Sequence, residues 1–151
     1  MRAARLIASG AGCGYAPWAP GTVGSLAAAL LGAGLLAWSH WALLAAALLA
    51  AGGGIWAIRA CGAAADDPGW VVIDEVVGQW ITLLGLAAAT PMGVVAAFLL
   101  FRLLDIAKPG PVGWADRRSG ALAVMGDDVV AGLLGAVLLL ALQRVWPGLL
   151  A

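Results

Sequence analysis

The chain has 151 residues, of which 64% are hydrophobic and 11% are charged, and its formal net charge is zero. A mean hydropathy of +1.01 and a charged fraction far below the about 25% of soluble domains exclude an ordinary soluble protein. We therefore expect an integral membrane protein with a single domain over residues 1–151. The zero net charge argues against a nucleic-acid partner. Cys13 and Cys61 lack CxxC spacing, so we expect free, non-catalytic thiols.

A glycine-rich loop at residues 9–25 leads into the first long apolar segment. Glycines permit a backbone turn whose N–H groups converge on an anion, and a helix N-terminus adds a favourable dipole. We interpret Thr22 and Ser25 as N-caps, and Thr22, Gly24 and Ser25 as a candidate phosphate cradle. A plain Gly/Pro linker that enters the membrane is the alternative, because glycine-rich turns are common.

Two apolar stretches follow at 23–38 and 41–58, separated by a short polar turn between Trp38 and Trp41. Tryptophan favours the headgroup level of a bilayer, so this pattern predicts a helical hairpin that turns at a membrane interface. His40, the only histidine of the chain, lies in that turn. We interpret it as an interfacial polar residue, which removes histidine from the catalytic candidates.

Every acidic residue of the chain lies between Asp66 and Asp128. Within this region the adjacent pair Asp74-Glu75 leads directly into an apolar run at 76–89. Carboxylates at the edge of a membrane segment are costly when unpaired, so by default they mark an ion site, a water-filled cavity or a catalytic site. We interpret them as ligands of a divalent metal.

Thr90-Pro91 separates the run at 76–89 from a second apolar run at 92–104. As helices these runs are only about 20 Å long, shorter than the roughly 30 Å hydrocarbon core. They are therefore either short, tilted or re-entrant helices or one kinked helix. A hairpin places the glycine-rich loop, the acidic stretch and every basic residue except Arg144 on one side of the membrane. The positive-inside rule assigns that side to the cytoplasm, and we favour the hairpin.

The segment that follows carries an ion-pair pattern and a helix stop. Arg102 and Asp105 are three residues apart, so they share a helix face and are expected to pair. Lys108 stands directly before Pro109, which ends that helix. We expect Asp116 to pair locally with an arginine.

The final helix is predicted over residues 129–146, directly after Asp127 and Asp128. Carboxylates at a helix N-terminus are expected as caps because they face the positive end of the helix dipole. Taken alone, capping is the better explanation of this pair.

Five carboxylates together offer hard oxygen ligands without a histidine or thiolate, a set that suits Mg²⁺ or Mn²⁺ better than Zn²⁺. These candidate ligands are Asp74, Glu75, Asp105, Asp127 and Asp128. Three cations accompany them on the same side of the predicted hairpin: Lys108, Arg117 and Arg118. A hard metal, basic side chains and a glycine-rich loop are the recurring components of phosphoryl-transfer sites. A lipid headgroup phosphate is the natural substrate at a membrane surface.

Other lipid-phosphate chemistries do not match. A histidine-dependent lipid phosphatase needs two histidines, and the chain has one. The aspartate-rich pattern of the CDP-alcohol phosphotransferases and the Asp-x-Asp pattern of the haloacid dehalogenases are also missing from the sequence. Metal-activated water or a carboxylate nucleophile remain as the two alternatives.

Three ordered blocks over about residues 9 to 135 resemble the bacterial phosphatidylglycerophosphatase A family. They read APGTVGS at 19–25, then DPG at 67–69 with DEVVG at 74–78, then FRLLDIAKP at 101–109 with DRR at 116–118 and GDD at 126–128. Single pieces such as Pro-Gly-Thr are weak signals, but three blocks in this order are specific.

The resemblance implies a Mg²⁺-dependent phosphatase that removes the terminal phosphate of phosphatidylglycerophosphate and leaves phosphatidylglycerol. It implies a multi-pass protein of the bacterial inner membrane, with its active site facing the cytoplasm. The implied fold is an all-α membrane bundle of about five to six helices, some short or re-entrant, around a central helix.

The resemblance also assigns roles to the charged residues. Metal binding or water activation falls to Asp74, Glu75, Asp105, Asp127 and Asp128, and phosphate binding to Lys108, Arg117 and Arg118. Lys108 counts among the catalytic candidates as well. Asp105 and Asp128 are equally suited to act as general base, and Asp67 is expected to be a turn or supporting residue.

A non-enzymatic membrane carrier or scaffold that binds cations through its carboxylates is the rival interpretation. A carrier is expected to place charges along a path across the bilayer, yet residues 76–89 and 129–142 carry none. This absence favours the enzyme. The sequence leaves open whether a second copy of the chain is a partner.

Overall fold

The computed structural model describes residues 2–64 and 68–150, and every regular element within these ranges is helical. The predicted all-α class is confirmed. Asp66 and Asp67 lie outside the described residues. The elements follow in this order: α1 Arg2–Ala8, a 3-10 turn Cys13–Tyr15, α2 Pro20–Trp38, α3 His40–Ala60, α4 Ile73–Leu83, α5 Pro91–Ala107, α6 Pro111–Asp116 and α7 Ala121–Val145.

Helices α1 and α6 are additions to the predicted set. With seven and six residues, they are too short to show a helical period in the sequence. The long helices α2, α3 and α7 are the three described helices that are long and apolar enough to cross a membrane. The prediction of a bundle that combines long membrane helices with shorter ones is confirmed.

The predicted hairpin between α2 and α3 is also confirmed. Ser39 alone separates the two helices, and its hydroxyl oxygen accepts a hydrogen bond from the Trp41 N–H at 3.1 Å, which caps α3. Trp38 and Trp41 flank the turn and are both exposed, as expected for indoles at a membrane interface. The His40 imidazole donates from Nε2 to the Leu86 carbonyl oxygen at 2.9 Å, so this histidine has a structural partner at the turn.

The helices α4 and α5 are separate, so the two apolar runs form a hairpin rather than one kinked helix. α4 ends at Leu83, and α5 begins at Pro91, where the proline needs no hydrogen-bond acceptor. The Thr90 hydroxyl caps α5 by accepting from the Gly93 N–H at 3.0 Å. The C-terminal end of α5 returns to the end of the bundle from which α4 started, because Asp105 and Glu75 line the same cleft.

α4 is the central helix, because it packs against α2, α3, α5 and α7. Its 11 residues span only about 16 Å at about 1.5 Å per residue, so it is enclosed by longer helices. Contact with α7 depends on glycine: a Cβ on Gly78 would lie 2.6 Å from the Asp128 carbonyl oxygen, and one on Gly132 would lie 2.5 Å from the Gly78 carbonyl oxygen. The two backbones therefore touch, which brings the start of α4 beside Asp128.

Candidate active site

The acidic residues of α4 and α7 meet where these two helices cross. Asp74 and Glu75 lie in the first turn of α4. Asp127 and Asp128 do not cap the final helix, and that prediction is wrong: α7 begins at Ala121 with Gly120 before it. Residues 121–126 are mostly good helix formers, so α7 begins about two turns earlier in the sequence than predicted. Asp127 and Asp128 consequently face the bundle interior, with 8% and 3% exposure.

Asp74, Glu75 and Asp128 each bring a carboxylate oxygen to a common point, with all three atoms within 4.8 Å of one another. Glu75 Oε2 and Asp128 Oδ1 are buried and have no hydrogen-bond partner among the described residues. Burial raises the pKa of the Glu75 carboxyl above its ordinary value, although a hydrogen bond with Asp74 opposes the shift. Crowded, buried carboxylates are unfavourable unless a proton or cation joins them.

All five predicted carboxylates line a single cleft with a volume of about 270 Å³. Its lining comes from the loop before α4 and from α4, α5 and α7: Gly69, Val71, Asp74, Glu75, Arg102, Asp105, Ile106, Lys108, Asp127 and Asp128. Arg102 forms the predicted ion pair with Asp105, and its Nε is buried without a hydrogen-bond partner in the described part of the chain. Arg102 therefore adds a buried cation to the acidic cleft.

Lys108 joins α5 to α7 at the edge of the cleft. It ends α5 in the left-handed conformation, with φ of 45°, and its Nζ donates to Asp127 Oδ2 at 2.9 Å and to Asp116. Burial opposes its charged form, but these two hydrogen bonds outweigh that effect and raise the pKa of Lys108 above its ordinary value. The expectation that Asp116 pairs with an arginine is wrong, because the left-handed turn places Lys108 closer.

Comparison with known proteins identifies the family that carries this cleft. A family model described as phosphatidylglycerophosphatase A matches residues 6–143, a range that contains every residue of the cleft. The chain belongs to the phosphatidylglycerophosphatase A family.

Three curated relatives span most of the chain. The phosphatidylglycerophosphatase A of Escherichia coli K12 is 37% identical over 145 residues, which cover 94% of this chain and 84% of that protein. The protein of the same name from Haemophilus influenzae is 33% identical over 142 residues, with 91% and 87% covered. A Bacteroides thetaiotaomicron protein named "Putative phosphatidylinositol-3-phosphatase" is 39% identical over 149 residues, with 89% of each chain covered. No solved structure gives a significant match.

The two arginines of the DRR block do not line the acidic cleft. Arg117 ends α6 and is exposed. The Arg118 guanidinium lies 3.8 Å from the centre of the Trp114 ring and lines an adjoining hollow of about 90 Å³ with Asp116, Asp127 and others. The cations within the cleft itself are Arg102 and Lys108.

Within the glycine-rich loop, the predicted cradle residues Thr22, Gly24 and Ser25 are not among the residues that line the acidic cleft. α2 begins at Pro20, so Thr22 and Ser25 lie inside the helix and are not its N-caps. Ser25 is buried, and its hydroxyl donates to the Gly21 carbonyl oxygen at 2.7 Å. Gly24 lies against Val72, whose side chain is 3.0 Å from the position of a Cβ on that glycine. The Ser25 hydroxyl is therefore bonded within α2, and Gly24 packs against Val72.

Gly21 is the residue of this loop that reaches the cleft. A Cβ on Gly21 would lie 2.2 Å from Glu75 Oε1 and 3.4 Å from Arg102 Nη1, so the first turn of α2 closes against both side chains. Neither Gly21 nor a site role for Arg102 is among the sequence predictions. A signal for Arg102 was present, because its partner Asp105 belongs to the predicted ligand set.

Proposed function

We propose that this chain hydrolyses the terminal phosphomonoester of phosphatidylglycerophosphate and releases phosphatidylglycerol and inorganic phosphate. The observation that carries the proposal is the single cleft in which five carboxylates meet Arg102 and Lys108. Membership of the phosphatidylglycerophosphatase A family and the names of two relatives support it. Three described helices that are long and apolar enough to cross a membrane support a lipid as the substrate.

The donor set fits Mg²⁺. Asp74, Glu75 and Asp128 offer three carboxylate oxygens within 4.8 Å of one another, two of the carboxylates keep a buried oxygen without a hydrogen bond among the described residues, and Mg²⁺ prefers such hard ligands. Asp105 and Asp127 line the same cleft and complete the proposed set. When bound, the ion supplies positive charge that offsets the charge on the phosphoryl oxygens.

The side chains of the cleft then divide the remaining work. Arg102 and Lys108 hold the phosphate oxygens, because they are the cations that line the cleft and charge-assisted hydrogen bonds are strong. In the reaction, a water oxygen forms a bond to phosphorus while the bond from phosphorus to the headgroup oxygen breaks. A cleft carboxylate accepts one proton of that water and passes it to the departing headgroup oxygen, which therefore leaves as a hydroxyl group. Asp105 and Asp128 are the two candidates for this proton transfer.

The proposed location is the bacterial inner membrane, with the cleft on the cytoplasmic side. Its support is the hairpin of α4 and α5, which collects the basic residues other than Arg144 at the end that holds the cleft. Short loops rich in Lys and Arg remain on the cytoplasmic side of membranes.

The test is phosphate release in detergent micelles, with and without Mg²⁺, from the intact protein and from Asp74→Asn. Phosphatidylglycerophosphate and phosphatidylinositol 3-phosphate are compared as substrates, because the Bacteroides thetaiotaomicron relative carries a different name. We expect Mg²⁺-dependent release from phosphatidylglycerophosphate that Asp74→Asn abolishes in folded protein. Release from phosphatidylinositol 3-phosphate alone would assign that lipid, and not phosphatidylglycerophosphate, as the substrate. No release from folded protein would leave the carrier or scaffold as the working interpretation.

A further inference from the structure

Gln79 lies in the middle of the central helix and has no role in the reaction proposed above. It is completely buried, with 0% exposure, and neither Oε1 nor Nε2 has a hydrogen-bond partner within the described ranges. Buried amide groups are almost always hydrogen-bonded, because the loss of their hydration is otherwise uncompensated. The amide of Gln79 therefore has unused capacity to donate and to accept.

Gln79 does not itself line the cleft, but it lies about one turn of α4 beyond Glu75, which does. It follows Glu75 by four residues, so the two side chains share a helix face with Cβ atoms about 5–6 Å apart. Side chains on a helix lean toward its N-terminus, which inclines Gln79 toward Glu75. The buried Glu75 Oε2 also lacks a hydrogen-bond partner among the described residues. An amide donor and a carboxylate acceptor are thus both unsatisfied on successive turns of one helix.

Outside the acidic cluster, Glu75 lies near Gly21 and Arg102. Its Oε1 lies against the first turn of α2, where a Cβ on Gly21 would be only 2.2 Å away. A neutral donor beneath Glu75 would stabilise its carboxylate and fix its plane without adding charge to the helix interior.

We propose that Gln79 is a positioning residue for Glu75: when the acidic cluster holds a cation, the Gln79 Nε2–H donates to one oxygen of the Glu75 carboxylate, and the other oxygen faces the cation. The described structure does not contain this hydrogen bond, since Gln79 Nε2 and Glu75 Oε2 both lack a partner among the described residues. The proposal rests on the proposed function, since the cation is the Mg²⁺ of that reaction. Ligating carboxylates are commonly oriented by such partners outside the ligand set, and loss of one typically weakens metal affinity or activity about 10- to 100-fold.

The test uses the full chain in detergent and Mn²⁺ as the probe, with bound and free Mn²⁺ separated by electron paramagnetic resonance in the absence of substrate. Gln79→Met keeps the length of the side chain and removes both polar atoms. We expect its Mn²⁺ affinity to fall about 10- to 100-fold, with a matching rise in the Mg²⁺ concentration needed for activity. The cation-free unfolding temperature should stay constant or rise, because an unpaired amide is replaced by an apolar group.

Thr82→Val is the matched control. Thr82 is fully buried on the same helix, and its hydroxyl donates to the Gly78 carbonyl oxygen at 2.9 Å, so it is satisfied without the cleft. Its Mn²⁺ affinity should equal that of the parent. If Gln79→Met does not fold, Gln79→Asn replaces it, because the shorter side chain withdraws the amide from Glu75 and predicts the same direction of change.

The outcomes separate this inference from the proposed function. Equal Mn²⁺ affinity in the parent and in a folded Gln79 variant overturns the positioning role and leaves the phosphatase proposal intact. A folded parent that neither binds Mn²⁺ nor releases phosphate overturns the proposed function, and the inference fails with it. An equal loss of affinity in Thr82→Val would also overturn the specific role, because any buried polar group on α4 would then have the same effect.

Discussion

The two ends of α7 contrast in how they treat polar side chains. Gln143 lies about 22 Å along the helix from Asp128, at about 1.5 Å per residue. Its Nε2 donates to the carbonyl oxygens of Gly85 at 2.7 Å and Leu139 at 2.9 Å, and its Oε1 accepts from the Ala87 N–H at 3.0 Å. The protein itself satisfies this side chain, and it ties the loop after α4 to the end of α7.

At the cleft end, Asp128 of α7 and Glu75 of α4 carry oxygens that the described protein does not satisfy. Asp128 is almost fully buried, and its Oδ1 lacks a hydrogen-bond partner in the described residues, as does Oε2 of Glu75. Unsatisfied buried groups reduce stability, so their presence at the cleft end supports the proposed ligand, which would complete them. Gln143, whose hydrogen bonds in the described chain are all made with the backbone, is therefore interpreted as structural. Asp128 and Glu75, which keep unbonded buried oxygens, are interpreted as functional.

Asp128→Asn gives the strongest test of this contrast. We expect kcat to fall by on the order of 10²-fold or more, since the variant removes a charge from the cation site and one of the two candidate bases. The unfolding temperature without Mg²⁺ should rise, because crowding of buried negative charge is relieved. Phosphate release and thermal unfolding measure the two effects. A folded variant that retains parental activity would remove Asp128 from the site.

Gly21→Ala tests the contact between α2 and the cleft. Because the new Cβ would lie 2.2 Å from Glu75 Oε1, the carboxylate has to move, and small displacements of site groups cost on the order of 10- to 100-fold in rate. Gly34→Ala is the control, since nothing lies within 4 Å of a Cβ at that position on the same helix. Equal kcat values for the two variants would show that the approach of α2 has no functional role.

Lys108→Met tests the cation at the edge of the cleft. We expect KM for phosphatidylglycerophosphate to rise about 10-fold or more, because a hydrogen bond to a charged group contributes about 1.5–3 kcal/mol. Arg144→Ala removes an exposed positive charge at the other end of α7 and should leave KM unchanged. Steady-state kinetics in mixed micelles checks both variants. The same rise in KM for Arg144→Ala would indicate a general charge effect.

Gln143→Met tests the other side of the comparison and has the smallest expected effect on activity. Its loss leaves the Gly85 carbonyl oxygen and the Ala87 N–H without their partner, so stability should fall by about 1–3 kcal/mol. The kcat value should not change. Denaturant unfolding and phosphate release are the measurements, and a stable variant with low kcat would contradict the division of roles between the two ends.

The membership of the cleft could be predicted from sequence because charged residues are scarce in so apolar a chain. Five carboxylates on one side of a hairpin are expected to lie close together. Pro91 marks the turn that brings Asp105 back to Glu75. The start of α7 could not be predicted in the same way. The apolar window begins only at Val129, whereas helix formation extends back through alanine-rich residues to Ala121.

The division of labour among the remaining polar groups depends on packing that the sequence does not display. The Ser25 hydroxyl bonds to the backbone of α2, and Gly24 packs against Val72. The composition of their loop is nevertheless that of a phosphate cradle. Likewise, Arg118 lies against Trp114 while Arg102 enters the cleft. Which cation meets the carboxylates follows from helix crossings set by glycines distant in the sequence.

The measurement that tests the central claim most directly is an Mg²⁺ titration of phosphate release from phosphatidylglycerophosphate, performed side by side on the parent, Asp128→Asn and Gln143→Met. We predict saturable activation of the parent by Mg²⁺, an unchanged kcat and Mg²⁺ dependence for Gln143→Met, and loss of activation for Asp128→Asn despite equal or greater stability. Mg²⁺-independent release, or full activation of folded Asp128→Asn, would contradict the assignment of the acidic cleft as a metal-dependent phosphatase site.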